Sequence, residues 1–247
     1  GKMLALLKTV FYDPLYNGLI FLIALLPSHS VGSAVILLTL LVKLLLFSLS
    51  QKATKFQLEM KAHEPELSRL RERYKSDKQA QGKAILEFYR EKKINPFGAM
   101  LPLFIQIPIV IALYYVFFKG GLPEVDEALL YFLTPLPEPN MDFFGLKVLD
   151  KSVVLAVLAG AAQYLQGHFA MPPAPAKEDS PSFQGDLARG MHLQMKYLLP
   201  LFMVFVAYAV SGAVALYFIT SSLFTVAQEL YLRRKFSRER HLTHEKK

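Results

Sequence analysis

The chain has 247 residues, 53% of them hydrophobic, and a mean hydropathy of +0.30. It contains no cysteine, which excludes disulfides, thiol catalysis and cysteine-ligated metals. The formal net charge of +8 lies in a few segments that alternate with long apolar blocks, a pattern typical of an all-α polytopic membrane protein with a charged insert.

Residues 1–30 contain an apolar run that is too short to span a bilayer. The run covers about a dozen residues at 15–26, whereas a spanning helix needs about 20. Pro27 ends it, and the polar sequence Ser-His-Ser follows. We expect an amino-terminal interfacial helix that lies at the membrane surface, followed by a short outer segment. A longer span that starts near Met3 is the alternative, although Asp13 and Pro14 argue against it.

Residues 31–50 are the first predicted span, and they carry a charge. A helix of about twenty apolar residues is ~30 Å long, which matches the hydrocarbon layer. Lys43 lies in this run, with Thr39 one turn earlier on the same face. A lysine in mid-membrane costs roughly 2.5–3.5 kcal/mol and usually faces a wet or protein-lined cavity. Snorkelling of Lys43 to the nearer interface is the alternative.

Residues 51–96 form a strongly charged insert with twelve Lys or Arg and seven acids. Apolar residues recur at helical spacing in two sets, which are Leu67, Leu70, Tyr74 and Ile85, Phe88, Tyr89. Asp77 lies between the sets, so the pattern predicts an antiparallel cytoplasmic helical hairpin, with Pro65 kinking or ending the first helix early. Any single charge here can also be part of an ordinary solvated face.

Residues 97–118 are the second predicted span and contain Pro102, Pro108 and Gln106. Two prolines free backbone carbonyls, which neighbouring helices or water must satisfy. Gln106 is a candidate for the wall of a polar groove. An ordinary hydrogen bond between helices explains it equally well.

The rest of the chain alternates between loops and three further spans. In order these are an outer loop (119–150), span 3 (151–170), a proline-rich cytoplasmic loop (171–194), span 4 (195–210), span 5 (213–232) and a basic cytoplasmic tail (233–247). The insert and the tail hold twelve and seven Lys or Arg, whereas the outer loop holds two. By the positive-inside rule, the amino terminus is outside and the carboxyl tail is cytoplasmic.

The fifth span carries a polar stripe of Tyr217, Ser221 and Thr225 at intervals of four residues. Such stripes often serve only to hold helices together. Combined with the polar residues of the first two spans, the stripe predicts a shared hydrophilic groove. The predicted groove residues are Lys43, Thr39, Gln106, Tyr217, Ser221 and Thr225.

Motifs for covalent or nucleotide chemistry are missing from the sequence. There is no GxSxG, HExxH or Walker-type glycine loop, and no predicted span contains paired carboxylates. We therefore expect no enzymatic activity, no catalytic residues, no cofactor and no metal.

Three segments resemble the YidC family of membrane protein insertases. They are VILLTLLVKLLLFSLSQKA from residue 35, NPFGAMLPLFIQIPIVIALYYVF from residue 95 and SGAVALYFITSSLFTVAQE from residue 211. The order of elements also matches, with a charged hairpin containing EPELSRLRERY after the first span. One difference is that the family usually has Arg at the position of Lys43, and lysine lacks the planar guanidinium fork.

This resemblance implies a bacterial cytoplasmic-membrane insertase and chaperone that acts alone or with the Sec translocon. Its groove would be open to the cytoplasm and to lipid, and Lys43 would attract acidic residues of the substrate. The implied partners are nascent membrane proteins, the lipid bilayer, and the ribosome through the basic tail and the hairpin; no DNA is expected.

Two other classes of protein are compatible with the residues alone. A small anion transporter or channel could use Lys43 as its binding site, although no inverted repeat is visible. A structural assembly subunit would make Lys43 dispensable.

Overall fold

The computed structural model describes residues 8–92, 101–117, 136–170 and 193–245, together with residues 122, 125, 130, 131 and 190. This part of the chain is predominantly helical, in agreement with the predicted all-α class. Its elements are a π-helical turn (Lys8–Tyr12), α1 (Asp13–Leu25), α2 (Val31–Leu45), α3 (Phe47–Arg73), α4 (Lys78–Glu91), α5 (Leu101–Tyr115), β1 (Asp142–Phe143), β2 (Leu146–Lys147), α6 (Val153–Ala170), a second π-helical turn (Gln194–Leu198), α7 (Leu199–Val210) and α8 (Gly212–Glu245).

Contacts divide the chain into two compact units. The first comprises Gly1–Leu45 and Gln106–Leu230, and the second comprises Leu46–Ile105 and Tyr231–Lys247. The first unit holds most of the apolar helices, and the second holds the charged helices α3 and α4. Nearly all of the predicted cytoplasmic loop at 171–194 lies outside the described residues.

Helix α1 packs against α2 within the first unit. Seven of its thirteen residues are buried. Gly18 permits a close approach, because a Cβ at this position would lie 3.1 Å from the Leu38 side chain. Much of the apolar surface of the predicted interfacial helix is therefore buried against the protein. Its location at the membrane surface stays a prediction.

The apolar run at 31–50 is not one continuous helix. Helix α2 ends just before Leu46, whose carbonyl accepts hydrogen bonds from the N–H groups of Leu49 and Ser50 at 3.1 and 3.0 Å. Residues 47–50 therefore belong to α3. Hydropathy does not reveal the break because apolar residues continue past it and neither glycine nor proline marks it.

Small residues allow α6 and α7 to pack closely. A Cβ at Gly160 would overlap the Val204 side chain and would lie 3.1 Å from the Pro200 carbonyl oxygen. Ala156 and Ala159 on α6 are fully buried. Lipid tails are as apolar as leucine, so helices in a membrane associate through such close packing rather than through hydrophobic burial.

Residues 140–150, here called the clip, connect the beginning of α2 to the beginning of α8. The Val31 N–H donates to the Asn140 carbonyl at 3.0 Å, and the Gly212 N–H donates to the Asp150 carbonyl at 2.9 Å. These are backbone bonds, so the clip holds both helix ends regardless of side-chain motion.

The clip contains the two-stranded antiparallel hairpin β1–β2, which was not predicted. Phe143 pairs with Leu146, and the two residues between them have positive φ angles, +49° at Phe144 and +78° at Gly145. The Phe143 ring lies on the backbone of Gly32, where a Cβ would be 2.5 Å from the ring. Glycine at position 32 is therefore required for this contact.

Helices α3 and α4 of the second unit pack through an apolar cluster centred on Leu67 and Phe88. Partly buried side chains surround these two, namely Phe56, Met60, Leu70, Ile85 and Tyr89. Asp77 begins α4 as its cap, because its Oδ1 accepts the Gln79 and Ala80 N–H groups at 2.9 and 3.0 Å. Helix α3 continues through Pro65, so the expectation that this proline could end the helix is wrong.

Length and composition distinguish the apolar helices from one another. Among the described residues, Gly212–Phe236 is the one helix long and apolar enough to span a bilayer by itself. The helical segments Val31–Leu45 and Phe47–Met60 are long and apolar enough to span a bilayer only when they are taken together. Gln106–Tyr115, Val153–Phe169 and Lys196–Val210 are shorter apolar helices. The arrangement of five spans therefore stays a prediction.

Candidate functional site

Helices α2 and α8 are joined by a hydrogen bond from a charged group. The Lys43 ammonium donates to the Thr225 hydroxyl at 3.2 Å, and this hydroxyl donates to the Ser221 carbonyl at 2.8 Å. Lys43 is half-buried. Within the described ranges no carboxylate forms an ion pair with it. A cation among apolar helices thus has a neutral partner.

Thr39 lies one turn before Lys43 and is buried. Its hydroxyl donates to the Val35 carbonyl at 2.6 Å within the same helix. Because this hydroxyl already donates its proton within the helix, Thr39 can interact with another group only as a hydrogen-bond acceptor.

Gln106 and Tyr217 form a second polar pair, between α5 and α8. The Gln106 amide donates to the Tyr217 hydroxyl. Tyr217 is 4% exposed, and its ring makes an edge contact with Phe218 at a centroid distance of 5.2 Å. Because the pair is largely buried, its hydrogen bond removes the cost of leaving an amide or a hydroxyl unpaired.

A small cavity lies beside Thr39 and Tyr217. Its volume is about 10 Å³, and its lining is Leu15, Val35, Leu38, Thr39, Val42, Ile109, Leu113 and Tyr217. Such a volume corresponds to about one water molecule. Five of the six predicted groove residues are brought together in small sets: Lys43 contacts Thr225, Gln106 contacts Tyr217, and Thr39 and Tyr217 line one cavity. Ser221 is buried and contributes its carbonyl.

Three further hydrogen bonds involve polar side chains that were not predicted as site residues. The Ser222 hydroxyl donates to the Gln163 amide oxygen at 3.3 Å. Asn17 is buried on α1, donates to the Asp13 carbonyl at 2.8 Å and accepts the Tyr131 N–H at 2.7 Å. Asn17 and Gln163 are visible in the sequence as amide side chains within apolar runs. Helical periodicity, however, does not identify the groups to which they bond.

Charged groups are paired on the surface of the second unit. Glu66 contacts Lys92 at 3.0 Å and His63 at 3.3 Å, and Glu64 contacts Arg71 at 2.7 Å. Hydrogen bonds from Lys92 and then His63 lower the pKa of Glu66.

The same unit holds a partly buried phenol. Burial raises the pKa of the Tyr89 hydroxyl, because the charged form loses hydration. Over the described ranges, no group of three or more His, Asp or Glu side chains could hold a metal ion.

Apolar helices joined by partly buried polar pairs are typical of a helical membrane protein with a polar site between its helices. The sequence profile of the 60Kd inner membrane protein family matches residues 23–239. The chain belongs to this family, the YidC-type membrane protein insertases, as the three resembling segments predicted.

Similar proteins share about a third of their residues with the chain. The membrane protein insertase YidC of Fusobacterium nucleatum is 32% identical over 204 residues, covering 83% of this chain and 86% of that protein. The protein of the same name from Clostridium tetani is also 32% identical, with 82% of its length covered. In the Francisella tularensis protein of that name, the 205 aligned residues cover 33% of the length.

Proposed function

We propose that this protein inserts membrane proteins into the bacterial inner membrane and helps them fold. Its family membership and the names of its relatives support this function. The observation that carries the mechanism is the hydrogen bond of Lys43 to Thr225. A half-buried ammonium with a neutral partner is available to a carboxylate, which would be a stronger acceptor.

The substrate recognised by Lys43 is an acidic segment next to an apolar one. Moving a carboxylate into the membrane is costly, and a nearby ammonium lowers that cost. Since the Thr225 hydroxyl is uncharged, exchanging it for a carboxylate gains electrostatic attraction. Lysine supplies the charge without the guanidinium fork, so attraction rather than bidentate geometry is the proposed basis of binding.

The remaining groove residues act after α2, α5 and α8 separate. The cavity that Thr39 and Tyr217 line has a volume of about 10 Å³, which is too small for a peptide, so binding of a substrate segment at these two residues needs a wider state. In that state Thr39, Gln106, Tyr217 and Ser221 would offer hydrogen bonds to the polar segment of the substrate. The apolar segment then enters lipid along the first and last spans, with a gain of ~25 cal/mol per Å² of apolar surface removed from water.

The proposed architecture has five spans around this groove, an amino-terminal interfacial helix and a cytoplasmic helical hairpin. Helices α3 and α4, which pack through Leu67 and Phe88, are the hairpin. Positive charge assigns the hairpin and the tail at 233–247 to the cytoplasm and the amino terminus to the outside. In the wider state, the proposed groove would be open to the cytoplasm and to lipid.

Nascent membrane proteins and the lipid bilayer are the direct partners of the proposed function. The hairpin and the basic tail would contact the ribosome, and this contact should weaken with salt because it depends on phosphate neutralisation. The protein would act alone or beside the Sec translocon. The proposal includes no covalent step, nucleotide hydrolysis, cofactor, metal or DNA.

The test is insertion of a short single-spanning substrate with an acidic tail into liposomes that contain the purified protein. The variants are Lys43→Ser, Lys43→Arg and, as a charge-matched control, Lys52→Ser on the exposed surface of α3. We expect Lys43→Ser to reduce insertion about tenfold, which corresponds to ~1.4 kcal/mol. Lys43→Arg and Lys52→Ser should retain it.

A substrate whose acidic tail has been neutralised tests directly whether Lys43 acts by charge attraction. Insertion should then no longer depend on the residue at position 43. If Lys43→Ser inserts the acidic substrate as well as the unchanged protein does, charge attraction is wrong. Anion flux through the same liposomes, with no insertion by any variant, would favour the transporter instead.

A further inference from the structure

The tip of the β1–β2 hairpin carries an exposed aromatic side chain, Phe144, whose ring makes an edge contact with the Phe143 ring at a centroid distance of 4.8 Å. We propose that Phe144 inserts into the lipid bilayer and anchors the clip at the membrane interface. The partner of this surface is thus lipid, and the contact is separate from the groove residues around Lys43.

The backbone at the tip is unfavourable for phenylalanine. Phe144 has a φ of +49°, in the left-handed region, followed by Gly145 at +78°. Two-residue hairpin turns of this kind favour Asn-Gly or Gly-Gly, because residues with a large side chain pay about 1–2 kcal/mol in the left-handed region. A strained residue that persists suggests a functional role for its side chain.

Besides its backbone conformation, the exposure of the Phe144 ring to water is unfavourable. Phe144 is 94% exposed, although its neighbour Phe143 packs on the Gly32 backbone. Asparagine would satisfy both the backbone and the solvent at this position. Contact with lipid would remove the cost of exposing the ring to water, because the ring would be buried in an apolar phase.

The position of the clip places this ring near the ends of the proposed spans. The clip is bonded to the first residues of α2 and α8, Val31 and Gly212. Immediately after it, Val153 and Val154 begin α6 with 62% and 61% exposure. Strands of two residues extend only ~7 Å, so the tip cannot extend far from the part of the clip that precedes these exposed valines.

Charge around the hairpin also fits a membrane interface. Lys147 and Lys151 are both exposed and flank the end of the clip. The Lys151 ammonium lies 5.8 Å from the centre of the Tyr208 ring. Lysines with apolar stems and aromatic rings are typical of the level of the lipid headgroups, where the ammonium meets phosphate.

The test uses the absence of tryptophan from the chain. Phe144→Trp introduces a single fluorophore, which is measured in nanodiscs made with ordinary or acyl-chain-brominated phospholipid. Leu201→Trp, on an apolar helix at 67% exposure, is the lipid-facing control, and Lys75→Trp is the solvent-facing control. The full chain is used throughout, and circular dichroism confirms that each variant is folded.

Phe144→Trp is expected to emit at shorter wavelength than Lys75→Trp and to lose most of its emission in brominated lipid, as Leu201→Trp does. Emission like that of Lys75→Trp, without quenching, would show that the tip faces water and would overturn the proposal. A short-wavelength emission that bromine does not quench would also overturn it, because the ring would then be covered by protein.

Discussion

The Lys43 ammonium on α2 lies 3.2 Å from the Thr225 hydroxyl on α8, although 182 residues separate them in the chain. The two residues link the helices of the first and last predicted spans through one charge-assisted hydrogen bond. A bond of this kind is directional, and it orients the ammonium next to the polar stripe of α8. The proposed substrate must displace this hydroxyl, so the strength of the bond helps to set how readily the groove opens.

A double-mutant cycle measures this bond. We expect Lys43→Met and Thr225→Val to show a coupling free energy of about 0.6–1.7 kcal/mol in unfolding from detergent micelles, the range found for hydrogen bonds between membrane helices. The same cycle with Lys43→Met and Ser222→Ala, which removes a hydrogen bond to Gln163 instead, should show no coupling. Equal coupling in the two cycles would contradict a specific Lys43–Thr225 interaction.

The Gln106–Tyr217 pair predicts a stabilising second substitution. Tyr217→Phe removes the hydroxyl that accepts the Gln106 amide, so a part-buried donor is left unpaired at a cost of about 1–3 kcal/mol. Adding Gln106→Leu removes the unpaired group and should restore most of the unfolding free energy. If the double variant is less stable than Tyr217→Phe alone, the pair does not act as a unit.

How much of the site was predictable is clear from Lys43 itself. Helical spacing predicts that Lys43 and Thr39 share a face and that Tyr217, Ser221 and Thr225 share another. Periodicity defines faces within a helix, but it contains no information on which helices are neighbours. The pairing of Lys43 with Thr225 therefore came only from the structure, and the family resemblance came from longer sequence segments.

The break at Leu46 and the clip show where sequence patterns fail for the fold. A hydropathy window averages over a helix break when both sides are apolar, as they are around Leu46. The hairpin tip carries Phe144-Gly145 rather than the usual Asn-Gly, so turn chemistry did not indicate it. Both features depend on tertiary contacts, such as the Phe143 ring on Gly32.

The carboxyl of Glu66 makes the packing of α3 and α4 depend on pH. Because Lys92 and His63 lower its pKa in the folded state, Glu66 stabilises the fold above the ordinary carboxyl pKa of about 4.3. This contribution is lost as the pH falls through the lowered pKa. We expect Glu66→Gln to reduce hydrogen-exchange protection of α4 at pH 7.

The difference between the unchanged protein and Glu66→Gln should vanish in acid, below the lowered pKa of Glu66. Glu72→Gln, which removes an exposed contact to Lys75 at 3.2 Å, is the control and should have little effect at either pH. A difference for Glu66→Gln that is independent of pH would show that the side chain acts through packing rather than through charge.

The contact of Gly160 with Val204 predicts opposite effects for one substitution at two glycines. Gly160→Ala places a methyl group where Val204 and the Pro200 carbonyl already lie, so α6 and α7 must move apart, at a cost of about 1–3 kcal/mol. Gly82→Ala, inside α4 with nothing within 4 Å of the added Cβ, should stabilise by about 0.5–1 kcal/mol. The measurement is the unfolding free energy of the full chain.

A second substitution tests the cause of this destabilisation. Val204→Ala should partly restore the stability of Gly160→Ala, because it makes room for the added methyl group. If Val204→Ala does not restore it, the strain lies at the Pro200 carbonyl instead.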